Sequence, residues 1–316
     1  MRRWNAIRCT PRRCPEARGR DTHMVFLPGF LSNEPMRIAL SIGGGAALVC
    51  AVVGVATVMR RQAFAAHALA DVSSAGGSAA YLIGVNPLLG FLAMAAAAAG
   101  VMEWADVRSA RERDLLTGVV LGAGLGLAAL LLYFDATVRS VSGAAVTVLF
   151  GSMFAIPAGI VPLALAVAGA ALLASAVIHR PLLVSTLSAD LARAQGIRVR
   201  AVALTHSVAL ALAVALSAMT VGAILSTALL IGPAAAALRV ARRPVSAIAL
   251  AALIGLATTW GGTVLAYESY YWTPGRGWPV SFCIVTLIFC AYLAAGWAAA
   301  RAERPRVQHP SGCQGH

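Results

Sequence analysis

The sequence predicts an all-α fold, a polytopic membrane helical bundle of about eight or nine transmembrane helices. Three observations carry this. Of 316 residues, 59% are hydrophobic and only 12% are charged, and the mean hydropathy is +0.80, outside the range of a soluble domain. Apolar runs of about 20 residues recur along the chain, the length needed to cross a hydrocarbon core roughly 30 Å thick. The charge between those runs is mostly arginine and falls mainly on alternate connections, as the positive-inside rule requires.

The first expected span is about Arg37 to Val58, ending at Arg60 and Arg61, and the second is about Gln62 to Gly84. Asn86-Pro87 turns the chain into a third, ending near Trp104, and Leu115 to Phe134 is the fourth. Its Gly118, Gly122 and Gly126 lie four apart, the small-residue spacing of close helix contact. Asp135 to Pro157 reads as amphipathic at best, with LFGSMFAIP dipping into the membrane. A fifth span covers about Ala158 to Ile178, and HRPLLVSTLSADLARAQGIRVR reads as a short amphipathic helix outside the core. Spans six and seven are about Ala201 to Met219 and Val221 to Val240, with a break expected in the seventh at Ile231 to Pro233. Gly232 and Pro233 there are candidate gating residues. Spans eight and nine, about Ser246 to Tyr267 and Trp278 to Ala300, complete the set.

With the N-terminus of the first span outside, the inner side collects Arg60, Arg61, Arg108, Arg111, Arg113, Arg180, Arg193, Arg198, Arg200, Arg239, Arg242, Arg243, Arg301, Arg304 and Arg306, while Arg37, Arg139 and Arg276 stay outside. Residues 1–29 are expected to be an N-terminal extension, 30–300 a single transmembrane domain, and 301–316 a cytoplasmic tail. The seven arginines of residues 1–23 conflict with this orientation. The expectation is that translation starts at Met24, and N-terminal sequencing checks it. The formal charge of +13 comes without a single lysine, which reads as a base-composition bias and not as nucleic-acid binding. The six cysteines form no CxxC pair, so neither a zinc finger nor a disulfide framework is expected.

The chemistry concentrates in the second span. His67 and Asp71 are four apart and share one helix face, which Ser74 and Ser78 continue. A carboxylate near mid-membrane costs at least about 2.5–3.5 kcal/mol if it faces lipid, so the stripe must face protein or water. One reading is a path for a cation or proton; the other is a buried polar pair that only packs helices. His206 is a further intramembrane ionisable group, whereas Glu103, Asp135 and Glu268 fall at span ends, where charge is cheap. Cys283 and Cys290 read as buried, inert thiols.

Several stretches together resemble the integral-membrane permease subunits of ATP-binding-cassette importers for zinc, manganese or iron(II). They are FLSNEPMRIAL, VVGVATVMRRQAFAAHALADV, GVNPLLG, RERDLLTGVVLGAGLGLAALLLYF, LFGSMFAI, ADLARAQGIRVR and VGAILSTALLIGPAAAA, in the family's order over about Phe30 to Ala300. The resemblance implies a multi-pass protein of the inner or plasma membrane, partnered by lipid, a second permease copy, a cytoplasmic ATPase and an extracytoplasmic metal-binding protein. It implies no tightly bound cofactor, ATP held by the partner ATPase, and zinc or manganese as cargo. It also implies that Asp190, Ala192, Arg193 and Gly196 belong to a short helix docking on the ATPase, and that His67 and Asp71 line the metal path. The family usually places the acid first, as Asp-x-x-x-His. Here the order is reversed, and the proline that follows the histidine in some manganese members is missing, which leans to zinc.

No Walker motif is present, so the chain is expected to translocate and not to hydrolyse. The alternative is a proton-coupled secondary transporter using His67 and Asp71, which calls for internal repeats that the sequence does not show. A membrane metalloprotease lacks its HExxH, and a permease for siderophores or cobalamin needs no intramembrane acid and histidine.

Overall fold

A computed structural model of the chain describes residues 33–105, 110–138, 143–151, 153–272 and 277–303. The expectations for residues 1–29 and for most of the C-terminal tail lie outside them. Eleven helices account for the architecture: α1 (Glu34–Met59), α2 (Ala63–Ile83), α3 (Pro87–Trp104), α4 (Ala110–Val138), α5 (Ala144–Phe150), α6 (Val161–Leu187), α7 (Ala189–Ala194), α8 (Val199–Val221), α9 (Ala223–Val240), α10 (Pro244–Trp272) and α11 (Val280–Glu303). No strand occurs among the described residues.

Among the described residues, eight helices are long and apolar enough to cross a membrane: α1, α3, α4, α6, α8, α9, α10 and α11. Helix α2 falls outside that set, being more polar because of its histidine, aspartate and serines, yet its 21 residues extend about 31 Å at 1.5 Å per residue. It packs alongside α3 as the first arm of a helical hairpin. Arg60 after α1, Gln62 before α2, Glu103 at the end of α3 and Arg113 at the start of α4 all line one cavity. The chain therefore leaves that face along α2 and returns along α3.

Helices α8 and α9 lie between two groups. On one side α2 packs on α3 and α4, and on the other α1 packs on α6 and α10, and α10 on α11. In lipid the hydrophobic effect does not press helices together, so small residues that admit close backbone approach must do so. The buried set is accordingly rich in alanine, including Ala39, Ala46, Ala66, Ala70, Ala209, Ala213 and Ala234. A Cβ on Gly76 of α2 would lie 2.1 Å from the carbonyl oxygen of Gly90 on α3, and one on Gly90 would lie 2.1 Å from that of Gly76.

Three sequence expectations are corrected. The α4 glycines are not a contact within this chain: no atom lies within 4 Å of a Cβ placed on Gly118, Gly122 or Gly126, whereas one on Gly124 would meet Val72 at 2.3 Å. Spacing selects a face but not the face a neighbour occupies. The fifth span does not end at Ile178. Helix α6 runs through Pro181 to Leu187, because Ile178 and Leu182 are buried with Val202 and hold the turn across the backbone bond that proline cannot donate. Finally, α9 is unbroken at Ile231–Pro233. Pro233 is buried, and a Cβ on Gly232 would lie 2.2 Å from Ile288 Cγ2 of α11, so packing keeps the helix continuous where the sequence alone signals a break.

The discontinuity lies instead at Gly222, between α8 and α9, where φ is +94°. A Cβ there would come 2.3 Å from the carbonyl oxygen of Leu149, so the end of α5 presses directly on this junction. The segment around Val148 and Met153 packs into the bundle: both residues are buried, Thr263 donates to the Met153 sulfur at 3.7 Å, and Ser281 donates to the carbonyl of Phe150. Asp135 is also not a cheap terminal charge, since α4 continues to Val138 and leaves it buried.

Candidate functional site

Helix α2 starts after a tight turn. Arg61 adopts φ +57°, and the Gln62 amide donates to the Thr57 carbonyl at 3.0 Å, which closes α1 and reverses the chain. At the far end Gly84 caps α2 in the left-handed conformation, and Asn86 accepts from the Leu88 amide at 3.0 Å to start α3. Between these two fixed ends the sequence places its polar stripe. Asp71 is 8% exposed, Ser74 2% and Ser78 0%.

The His67 imidazole meets polar groups at both nitrogens. Nε2 lies 3.5 Å from Asp71 Oδ2, and Nδ1 lies 3.0 Å from the hydroxyl of Thr227 on α9. The His67 side chain is 44% exposed and that of Asp71 11%, so the pair steps from an open surface into the bundle. Ser74 donates to the backbone carbonyl of Asp71 at 2.6 Å, which fixes the local turn, while the buried Ser78 hydroxyl has no partner among the described residues. Two ligand bonds of about 2.1 Å at a tetrahedral angle set their donors roughly 3.4 Å apart. The His67–Asp71 separation of 3.5 Å is close to that spacing. The pair that the sequence singles out is thus brought together; Thr227, 160 residues away, carried no sequence signal.

At the end of the bundle where the arginines gather, α7 is a compact turn. Ser188 caps it by accepting from the Leu191 amide at 3.2 Å. Arg193 donates to Asp190 at 2.7 Å, with both side chains exposed. Ala192 is fully buried, and Gly196 ends the turn at φ +74°, with its amide donating to the Arg193 carbonyl at 3.0 Å. Leu187 is 85% and Leu191 51% exposed, so an apolar ridge flanks the ion pair. The four residues expected from the resemblance therefore form one small unit: Ala192 anchors it, and Asp190 and Arg193 face outward.

The remaining candidates separate. His206 is 2% exposed and lies with His179 beside a small cavity between α1, α6 and α8, away from Asp71. Glu103 is not an idle terminal charge, since it accepts from Ser207 of α8 at 2.5 Å. Cys283 is buried but Cys290 is exposed, so the two do not share a site. Among the described residues no group of three or more His, Cys, Asp or Glu side chains could hold a metal.

Residues 32–297 match the model of the ABC 3 transport family. The chain belongs to the ABC 3 transport family. Membership gives it a multi-pass permease fold in the plasma membrane and leaves the proton-coupled alternative without support. Among relatives in this family, the manganese transport system membrane protein MntC of Listeria innocua is 25% identical over 275 residues, covering 86% of this chain and 95% of its own. The high-affinity zinc uptake system membrane protein ZnuB of Haemophilus influenzae is 29% identical over 230 residues, covering 72% and 86%. The solved structure of PsaBC from Streptococcus pneumoniae in complex with Fab superposes with a TM-score of 0.71 at 23% identity, over 84% of this chain and 92% of that one. It shares the ABC 3 fold described above.

Proposed function

We infer that this permease carries a divalent transition metal, zinc or manganese, inward along the α2 stripe, with His67 and Asp71 as transient ligands. The 3.5 Å approach of Nε2 and Oδ2 on a buried polar face carries the reading, and the metals named for MntC and ZnuB support it. Two protein ligands fall short of the four of a closed structural zinc site, so water completes the shell and the ion can leave again. The reversed His–Asp order keeps both ligand types on one face, so the pair is preserved while its polarity along the path is inverted.

Translocation is driven from outside the chain. A cytoplasmic ATPase of the cassette type receives α7 through the Leu187–Leu191 ridge and the Asp190–Arg193 pair, and an extracytoplasmic metal-binding protein delivers the ion. A second permease copy covers the open side of His67. Gly232 and Pro233 act where α9 slides on α11: the missing proline N–H and the tight fit on Ile288 let that helix shift as a unit.

The deciding experiment is uptake of zinc, manganese and iron(II) into vesicles carrying the permease with its cassette ATPase, with and without ATP. ATP-dependent accumulation of one of these ions is expected. Accumulation driven by a proton gradient alone would overturn the reading.

Two further outcomes are expected. Binding needs a neutral imidazole and an ionised carboxylate, so protons compete with the metal. Uptake should fall as the medium is acidified, and the fall should be relieved by higher metal concentration, measured as an apparent KM that rises with proton concentration while the maximal rate changes little. Replacing Leu191 by arginine should lower ATP-dependent uptake by about tenfold or more, the equivalent of about 1.4 kcal/mol at the ATPase contact, without changing metal binding to the isolated permease. Equal loss of metal binding would place α7 in the pathway and not in coupling.

A further inference from the structure

A cavity of about 890 Å³ opens at the arginine-rich end of the bundle, and its size falls within the roughly 300–1,000 Å³ of small-ligand sites. It lies apart from the metal pair. Gln62, Ala65 and Leu69 present one face of α2 to it, and His67 and Asp71 lie on another. The remaining walls come from α3, α4, the end of α6, α7 and the start of α8.

Its charge is one-sided. Arg60, Arg113, Arg193, Arg198 and Arg200 line it against the single carboxylate of Glu103, which is already engaged by Ser207. Arg193 is paired with Asp190. Among the described residues the other four arginines have no carboxylate within ion-pairing distance. The position of Arg60 is the most telling. It is half-buried at the α1–α2 turn, and burial first, then the like charge of Arg113, lower its pKa, with Glu103 opposing. Setting orientation in a membrane needs arginines on solvated loops; it does not need a half-withdrawn guanidinium in a cavity shared with other arginines. Gln62 adds a buried amide oxygen with no partner, and since the two ends of an amide are interchangeable in placement, it can offer its NH₂ to the same space.

Planar guanidinium forks match the oxygens of a phosphate and hold them in pairs. We propose that this cavity is a binding site for a phosphate-bearing anion, supplied either as a free phosphate compound or as an anionic lipid headgroup, held between the α1–α2 turn, α4 and the α7–α8 link. The site stands independently of the metal reading. An occupant neutralises the mutual repulsion of Arg60 and Arg113 and ties the α7–α8 link to the helix that carries the metal pair.

The test uses the full-length permease in neutral detergent and in phosphatidylcholine nanodiscs. Native mass spectrometry and thermal shift are read with inorganic pyrophosphate as one probe and phosphatidylglycerol as the other. Saturable binding of at least one probe is expected, weakened by at least about tenfold in R60Q/R113Q and in the single variant Arg198→Gln, while R242Q/R243Q, on exposed arginines outside the cavity, binds as the unaltered chain does. Arg198→Gln, at an exposed link, keeps the test open if the double variant fails to fold. Pyrophosphate binding alone assigns a free anion, phosphatidylglycerol binding alone assigns a headgroup, and mutual displacement assigns one site open to both. No saturable binding, or equal weakening in R242Q/R243Q, would overturn the proposal. So would loss of ATPase assembly in R60Q/R113Q without any probe binding, which would make these arginines contacts for the partner.

Discussion

Asp71→Asn should reduce metal uptake by at least about 100-fold while leaving the protein folded. Loss of a group that merely supports a ligand costs about 10–100-fold in metal affinity, so loss of one of two direct ligands costs at least the upper end. The asparagine has the same shape and still fits beside His67, but it carries no charge. Because a buried carboxylate is expensive in a membrane, its removal should leave thermal stability unchanged or raised, and that separates loss of function from loss of fold. His67→Ala should give the same uptake defect, and the double variant should be no worse than either single one, since the two act on one ion. Uptake close to normal in both single variants, at normal expression, would reduce the pair to helix packing.

Gly76→Val should prevent accumulation of folded permease, whereas Gly118→Val should be tolerated. A Cβ at position 76 would lie 2.1 Å from the Gly90 carbonyl oxygen and 2.6 Å from Met94 Cβ, contacts that no side chain can occupy unless α2 and α3 part. Overpacking typically costs about 1–3 kcal/mol, and here the obstruction is backbone on a second helix, so about 3 kcal/mol or more is expected. At Gly118 nothing lies within 4 Å, so the change should stay within roughly 0.5 kcal/mol. Size-exclusion profiles and thermal unfolding of the two variants in detergent check the contrast. Equal destabilisation would mean that the α4 glycine face is covered after all, and that the helix neighbours are other than described.

These two pairs of residues also show where sequence reading succeeds and where it stops. His67 and Asp71 were legible because a helix has a fixed period: four residues make one turn, and an acid and an imidazole in an apolar run can only be tolerated if they face inward. The same period put Gly118, Gly122 and Gly126 on one face, but their spacing is equally satisfied whether that face meets a neighbour or not. The contact fell to Gly76, Gly90 and Gly124, which no spacing rule distinguishes from the others. The expected span end at Ile178, before Pro181, and the expected break at Pro233 miss for a related reason. Proline removes a backbone donor locally, and whether the helix continues depends on what packs across it, which for these two is Val202 and Ile288.

By itself the sequence determined the helical membrane class, the approximate spans and the α2 polar stripe, because hydrophobic length and helical period act through neighbours in the chain. It also carried enough of the family pattern to mark α7. Only the tertiary structure decided that Thr227 of α9 completes the polar surroundings of His67, that Glu103 is held by Ser207, and that arginines from the α1–α2 turn, α4 and the α7–α8 region converge on one cavity. Each of these joins residues from helices far apart in sequence, and such a meeting is set by which faces pack together, a choice made by the small residues of many helices at once.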